Sequence, residues 1–115
     1  MKHKQILFLY SIILCSFSLA AEEKHTTQLD LNNSAGQRWK KADNELNHVY
    51  QNILKEYADD PVFIEKLTNA QRAWLVFRDR ELEAIFPHAK SEYGYYGSVY
   101  PMCLSDWETE FTVER

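Results

Sequence analysis

The sequence has little cysteine. Its two cysteines are Cys15 and Cys103, and Cys15 lies in an N-terminal segment that we expect to be removed. With Cys15 gone, Cys103 has no partner for an intramolecular disulfide, so a disulfide-held scaffold is excluded. In an oxidising compartment a lone cysteine is either buried or reactive, and we expect Cys103 to be part of the core.

The sequence also lacks an apolar run long enough to cross a bilayer, which takes about 20 residues. The longest candidate is residues 6–14, "ILFLYSIIL", which follows Lys2 and Lys4 and precedes the small residues "SLA" at 18–20. This order predicts a signal peptide over residues 1–20. Leu14 stands where a lipobox needs a small residue, so we do not expect lipidation. The mature chain is therefore predicted to be periplasmic or secreted, with membrane contact only before cleavage.

Positive charge is in deficit. The chain has 13 Lys and Arg against 17 Asp and Glu, a net charge of -4, and loss of Lys2 and Lys4 with the signal peptide makes it -6. Phosphate backbones require an excess of Lys and Arg, so a nucleic-acid partner is not expected. An acidic exported protein is suited instead to basic protein partners.

No stretch alternates apolar and polar residues as a strand would, and there is no internal repeat. Residues 21–33 are polar and without periodicity, and we expect a flexible segment there. Ser34 and Gln37 fit a capping box that starts a helix over residues 35–58, within a single domain of residues 34–115. Its apolar face is spaced by three and four residues: Trp39, Ala42, Leu46, Val49, Tyr50, Ile53, Leu54 and Tyr57.

A second helix is predicted to begin at Asp60 and Pro61, which suit an N-cap and a first turn. It should end at Phe86, because Pro87 disfavours helical geometry in the residue before it. The short connection predicts an antiparallel hairpin, and a third helix beginning with Cys103 is expected to pack across it. The fold class is therefore all-α. The core stripe of the second helix is predicted to be Phe63, Leu67, Ala70, Trp74, Phe77 and Ile85.

Two charged residues fall beside these apolar stripes, Asp43 on the first helix and Arg78 on the second. In the hairpin they lie within about one turn of each other, and burying either charge alone would be costly. We expect a largely buried ion pair, with hydrogen bonds from Asn47 and Gln71. There are two alternatives. One of the two charges could face a cleft and act on a ligand, or the two could form a solvated pair.

The segment of residues 87–100, "PHAKSEYGYYGSVY", combines two glycines with four tyrosines. Tyrosine provides a large contact area at low entropic cost, which suits a binding surface. The alternative is that the rings cover the core of the hairpin. The candidate binding residues are Tyr93, Tyr95, Tyr96 and Tyr100.

No pattern predicts catalysis, a metal site or a cofactor. Asp79 and Glu83 share one helix face, whereas glycosidases need two carboxyls across a substrate. The histidines are scattered singly, which does not match the clustered ligands of a metal site. Cys103 with His88 would lack an orienting partner and an oxyanion site.

Several motifs taken together resemble the LprI-type lysozyme-inhibitor family of small exported bacterial proteins. They are "ADNELNHVY" (42–50), "QRAWLVFRD" (71–79), "GS" (97–98) and Cys103, and the resemblance covers about residues 35–115. It implies an all-α fold and binding to lysozyme. Two departures concern stability: Leu82 stands where the family usually has a cysteine, and the family usually continues the last helix past Arg115.

The sequence therefore predicts an exported, non-enzymatic binding protein, with a lysozyme or another basic protein as its partner. Two other functions remain open. The tyrosines would serve a small-ligand or glycan-binding protein, and a structural or envelope-stress protein would need no tight partner.

Overall fold

The computed structural model describes residues 26–115, so the predicted signal peptide and residues 21–25 lie outside it. The described chain forms helix α1 (Gln28–Glu56), helix α2 (Pro61–Ile85), a short 3-10 turn (Gly97–Val99) and helix α3 (Tyr100–Val113). Residues 26–115 contain no strand, and the predicted all-α fold class is confirmed. No helix in this range is both long and apolar enough to cross a membrane.

Helix α1 starts seven residues earlier than the predicted residue 35, so residues 28–33 of the expected flexible segment are helical. The prediction placed the capping box at the wrong residues. Thr27 caps the helix by accepting from the backbone N–H of Asp30 at 3.2 Å, and the Asp30 carboxylate accepts from the backbone N–H of Thr27 at 2.9 Å. Ser34 instead accepts a hydrogen bond from Arg38 at 3.1 Å within the helix.

The bounds of α2 agree with the prediction. The Asp60 side chain accepts from the backbone N–H of Phe63 at 2.9 Å, and Pro61 occupies the first turn. Phe86 is the C-cap and its N–H donates to the carbonyl of Leu82, so the helix ends before Pro87. Both ends are determined by local chemistry that is readable in the sequence.

Helix α3 packs closely along α1 and also contacts α2. It runs parallel to α1, since Asn32 donates to the Ser98 carbonyl at 3.0 Å and Arg38 forms an ion pair with Asp106 at 2.7 Å. At its far end Arg115 donates to Gln71 of α2 at 3.1 Å. The third helix therefore contacts both arms of the hairpin.

The two arms meet each other near the turn that connects them. The Tyr50 hydroxyl donates to Thr68 at 3.2 Å, and the rings of Tyr57 and Phe63 lie 4.6 Å apart. These pairings confirm that the arms are antiparallel at the turn.

Burial in this arrangement is shallow. Among residues 26–115 only Ala35 and Thr112 are buried, and the other apolar side chains are half-buried or exposed. Phe77, predicted for the core stripe, is 54% exposed, and Val76 beside it is also exposed. The run Ala73–Phe77 therefore places apolar side chains on the outer face of α2 as well as the inner one.

Candidate functional site

The segment between α2 and α3 is ordered by two glycines with left-handed backbone. Gly94 has φ 77° and Gly97 has φ 69°, a region that side chains with a Cβ rarely adopt. Between them the chain turns tightly, with the N–H of Gly97 donating to the carbonyl of Gly94 at 2.9 Å. These turns determine where the tyrosines between α2 and α3 can point.

Three rings form a cluster at the end of α2. The Phe86 ring lies 5.5 Å from Tyr96 and 5.2 Å from Tyr100, both edge-to-face, and Tyr96 and Tyr100 stack at 5.5 Å. The Tyr96 hydroxyl accepts from the backbone N–H of His88 at 3.2 Å. Aromatic pairs at such separations contribute beyond their buried area, so the cluster is a stable base for the segment.

The four predicted binding tyrosines therefore divide into two pairs. Tyr96 and Tyr100 are half-buried in the cluster, which is the alternative role considered from the sequence. Tyr93 is fully exposed, and Tyr95 is 54% exposed. The centre of the Tyr95 ring lies 4.9 Å from that of Tyr96 and 4.5 Å from that of His88. The accessible aromatic surface is thus Tyr93 and Tyr95, which we call the tyrosine tip.

An ion pair anchors the same segment to α2. Glu83 accepts from Lys90 at 2.6 Å and from Arg80 at 2.7 Å. Both hydrogen bonds lower the pKa of Glu83 below its ordinary value, and the one from Lys90 has the larger effect. Spacing along α2 suggests the contact with Arg80, whereas the contact with Lys90 depends on a turn after Pro87 that periodicity does not reveal.

The predicted ion pair between Asp43 and Arg78 is not formed among residues 26–115. Arg78 donates to its neighbour Asp79 at 3.1 Å, and its guanidinium lies 5.4 Å from the centre of the Trp74 ring. Asp43 accepts from Asn47 at 3.2 Å, as the sequence suggested for Asn47. The remaining predicted partner, Gln71, accepts from Arg115 instead.

The physical reason is the position of α3. Glu108, a residue without a signal in the sequence, lies on α3 and is close enough to Asp43 and Arg78 for their charges to act on its pKa. Burial raises its pKa above the ordinary value, Arg78 opposes that shift, and the carboxylates of Asp79 and Asp43 add to it. A half-buried carboxylate from the third helix thus stands near Asp43 and Arg78 where a direct pair was expected. The register of α3 had no signal in the sequence.

Within residues 26–115, no group of three His, Cys, Asp or Glu side chains is arranged to hold a metal ion. Cys103 is a free, half-buried thiol. The candidate binding surface that combines exposed tyrosines with an aromatic base is the tyrosine tip.

Comparison with known proteins places this fold in a family. The family model described as "Lysozyme inhibitor LprI" matches residues 19–115. An uncharacterized protein of Rhizobium meliloti (strain 1021) is 32% identical over 123 aligned positions, which cover 91% of this chain and 85% of that protein. No solved structure gives a significant match. The chain belongs to the LprI lysozyme-inhibitor family.

Proposed function

We propose that the protein is an exported, non-enzymatic binding protein that binds and inhibits a lysozyme, with the tyrosine tip as its aromatic contact. The observation that carries the proposal is the exposure of Tyr93 and Tyr95, with the Tyr95 ring packed against Tyr96 of the aromatic base. Exposed aromatic side chains held in a defined position lose little entropy on binding. Membership of a lysozyme-inhibitor family supports this choice of partner.

Charge supports the same choice. Glu92 is exposed and directly precedes Tyr93, and the chain as a whole is acidic at net -4. Lysozymes are typically basic, so opposite charge would speed the encounter while the tyrosines provide specificity.

The test compares matched aromatic variants. We expect the exported chain to bind at least one lysozyme and to slow its lysis of bacterial cell walls. Replacing both Tyr93 and Tyr95 with alanine should weaken binding by about 30-fold or more if both rings are energetic hot spots. Phe77→Ala, which removes an exposed aromatic ring on the outer face of α2, serves as the control and should bind as the wild type does.

Thermal unfolding of each variant separates loss of contact from loss of fold. Unchanged lysozyme binding by a folded Tyr93→Ala, Tyr95→Ala variant would remove the tip from the interface. A chain that sediments with peptidoglycan and leaves every lysozyme tested fully active would favour the glycan-binding alternative.

A further inference from the structure

A second surface lies on different elements from the tyrosine tip. α1 and α3 run side by side, and between them is an open cavity of about 450 Å³. That volume lies within the range of about 300–1,000 Å³ that is usual for small-molecule sites. The tip residues do not line the cavity, so the site is independent of the proposed lysozyme contact.

The inside of the cavity is apolar and accessible. Ala42, Leu46 and Val49 line it from α1, and Val113 lines it from α3. Val49 is 49% exposed and Val113 is 72% exposed, although both belong to the side of their helix that faces the cavity. Covering such surface with an apolar group would gain about 25 cal/mol for each Å² removed from water.

The rim of the cavity is basic, in contrast to the acidic chain. Arg38, Lys41 and Arg115 line it, against the single carboxylate of Glu45. Arg38 is already paired with Asp106 at 2.7 Å. Among residues 26–115, Lys41 and Arg115 have no carboxylate within ion-pair distance. Arg115 donates from Nε to Gln71, and its terminal guanidinium N–H groups remain available to an anion, as does the Lys41 ammonium.

We propose that this cavity binds an apolar chain that ends in one anionic group, such as a single-chain fatty acid. The apolar side chains would cover the hydrocarbon, and Lys41 and Arg115 would neutralise the head group. A neutral apolar ligand would leave the basic rim unused, and a cationic one would be repelled by it. The arrangement therefore selects for the sign of the head group as well as for an apolar chain.

The experiment uses dodecanoate and dodecyltrimethylammonium, each below its critical micelle concentration, titrated into the exported chain by calorimetry. The two probes have the same hydrocarbon chain and opposite charge. We expect one dodecanoate to bind per chain. The cation should bind about tenfold or more weakly, because Lys41 and Arg115 would both attract the carboxylate and repel the ammonium group. Equal affinity for the two probes would overturn the proposal.

Adjacent lysines provide a matched pair of variants. Lys41 lines the cavity, whereas Lys40 is exposed on the same helix and does not. Lys41→Glu should weaken dodecanoate binding by about threefold or more, and Lys40→Glu should have little effect at an ionic strength where the Debye length is about 8 Å. Equal losses from the two variants would show attraction to the whole molecule, with no role for this cavity.

A third variant tests the location without changing charge. Ala42→Phe places a larger side chain among the lining residues and should abolish dodecanoate binding while circular dichroism shows the helices intact. If that variant unfolds, Val49→Phe serves the same purpose from an exposed position about two turns further along the cavity. Binding at wild-type strength by a folded filling variant would place the dodecanoate elsewhere and refute the site.

Discussion

Glu108 shows how a single residue changes the energetics of the contact between three helices. It is half-buried on α3, close enough to Asp43 and Asp79 for their charges to disfavour its ionisation. Arg78 compensates in part, but burial dominates and the pKa of Glu108 is raised. At neutral pH the folded protein thus holds a carboxylate in a less favourable environment than the unfolded chain does.

The pH dependence of Glu108→Gln tests this directly. A group with a raised folded pKa stabilises the protein below its unfolded pKa, and that contribution is lost as the pH rises through the folded pKa. Glutamine resembles the neutral acid, so the variant should melt at a higher temperature than wild type at pH 7. The difference should shrink as the pH falls toward 4.5, the ordinary pKa of a glutamate carboxyl. Thermal unfolding across this range measures it. An unchanged difference at every pH would show that Glu108 is solvated like an ordinary surface carboxylate.

Asp43 and Arg78 provide the second test at the residue scale. A direct buried pair would make their alanine variants comparably unstable, whereas the structure predicts unequal effects. Arg78 is only 15% exposed and contacts both Asp79 and Trp74, so Arg78→Ala should cost about 2 kcal/mol. Asp43→Ala removes a hydrogen bond from Asn47 and relieves repulsion with Glu108, so it should cost less than about 1 kcal/mol.

Urea unfolding of the two alanine variants gives both values, with Asp59→Ala as a control for removing an exposed aspartate that forms no ion pair within residues 26–115. Equal losses of stability from Asp43→Ala and Arg78→Ala would support the direct ion pair that the sequence suggested.

At the scale of elements, the predictability of each helix end depends on whether its cause is local. Asp60, Pro61 and Pro87 act on their own turns, so both ends of α2 could be located from the sequence. The start of α1 was misplaced because Ser34 and Thr27 both precede polar residues at capping-box spacing, and only the hydrogen bonds choose between them.

The position of α3 depends on contacts distant in sequence. Helical periodicity assigns a face to Asp43 and to Arg78 separately, but it does not reveal that a third helix brings Glu108 near them. For the same reason the exposure of Phe77 could not be predicted, since Phe77 fits the helical spacing of the inner stripe and yet lies outside it. The division of the tyrosines into two pairs likewise depends on Gly94 and Gly97 turning the chain against Phe86.

The aromatic base of the segment provides a prediction at this scale. Tyr96 contacts Phe86, Tyr95 and Tyr100, so Tyr96→Ala should cost about 2 kcal/mol, less than the loss of a fully buried aromatic ring. Tyr93→Ala removes a fully exposed ring and should change the free energy of unfolding by no more than about 0.5 kcal/mol. Thermal unfolding of the two variants compares them. Equal stability would mean that the ring cluster does not contribute to the fold.

For the whole molecule, net charge and shallow burial act together. A chain of this size has a small stability margin, and here only Ala35 and Thr112 are buried in the described range. Surface charge has a large influence on the rate at which the protein associates with a charged partner. With Lys2 and Lys4 lost alongside residues 1–20, the net charge of -4 would become -6.

The salt dependence of lysozyme binding distinguishes a shaped contact from simple charge attraction. Raising the salt from about 0.1 M to about 1 M shortens the Debye length from about 10 Å to about 3 Å, so the association rate should fall for any basic partner. The proposed contact through Tyr93 and Tyr95 would not be screened in this way, so we expect residual lysozyme binding at high salt. Cytochrome c, a basic control protein, should no longer bind to this protein at high salt. If lysozyme and cytochrome c are retained equally at every salt concentration, the attraction is non-specific, and the structural envelope protein becomes the better hypothesis.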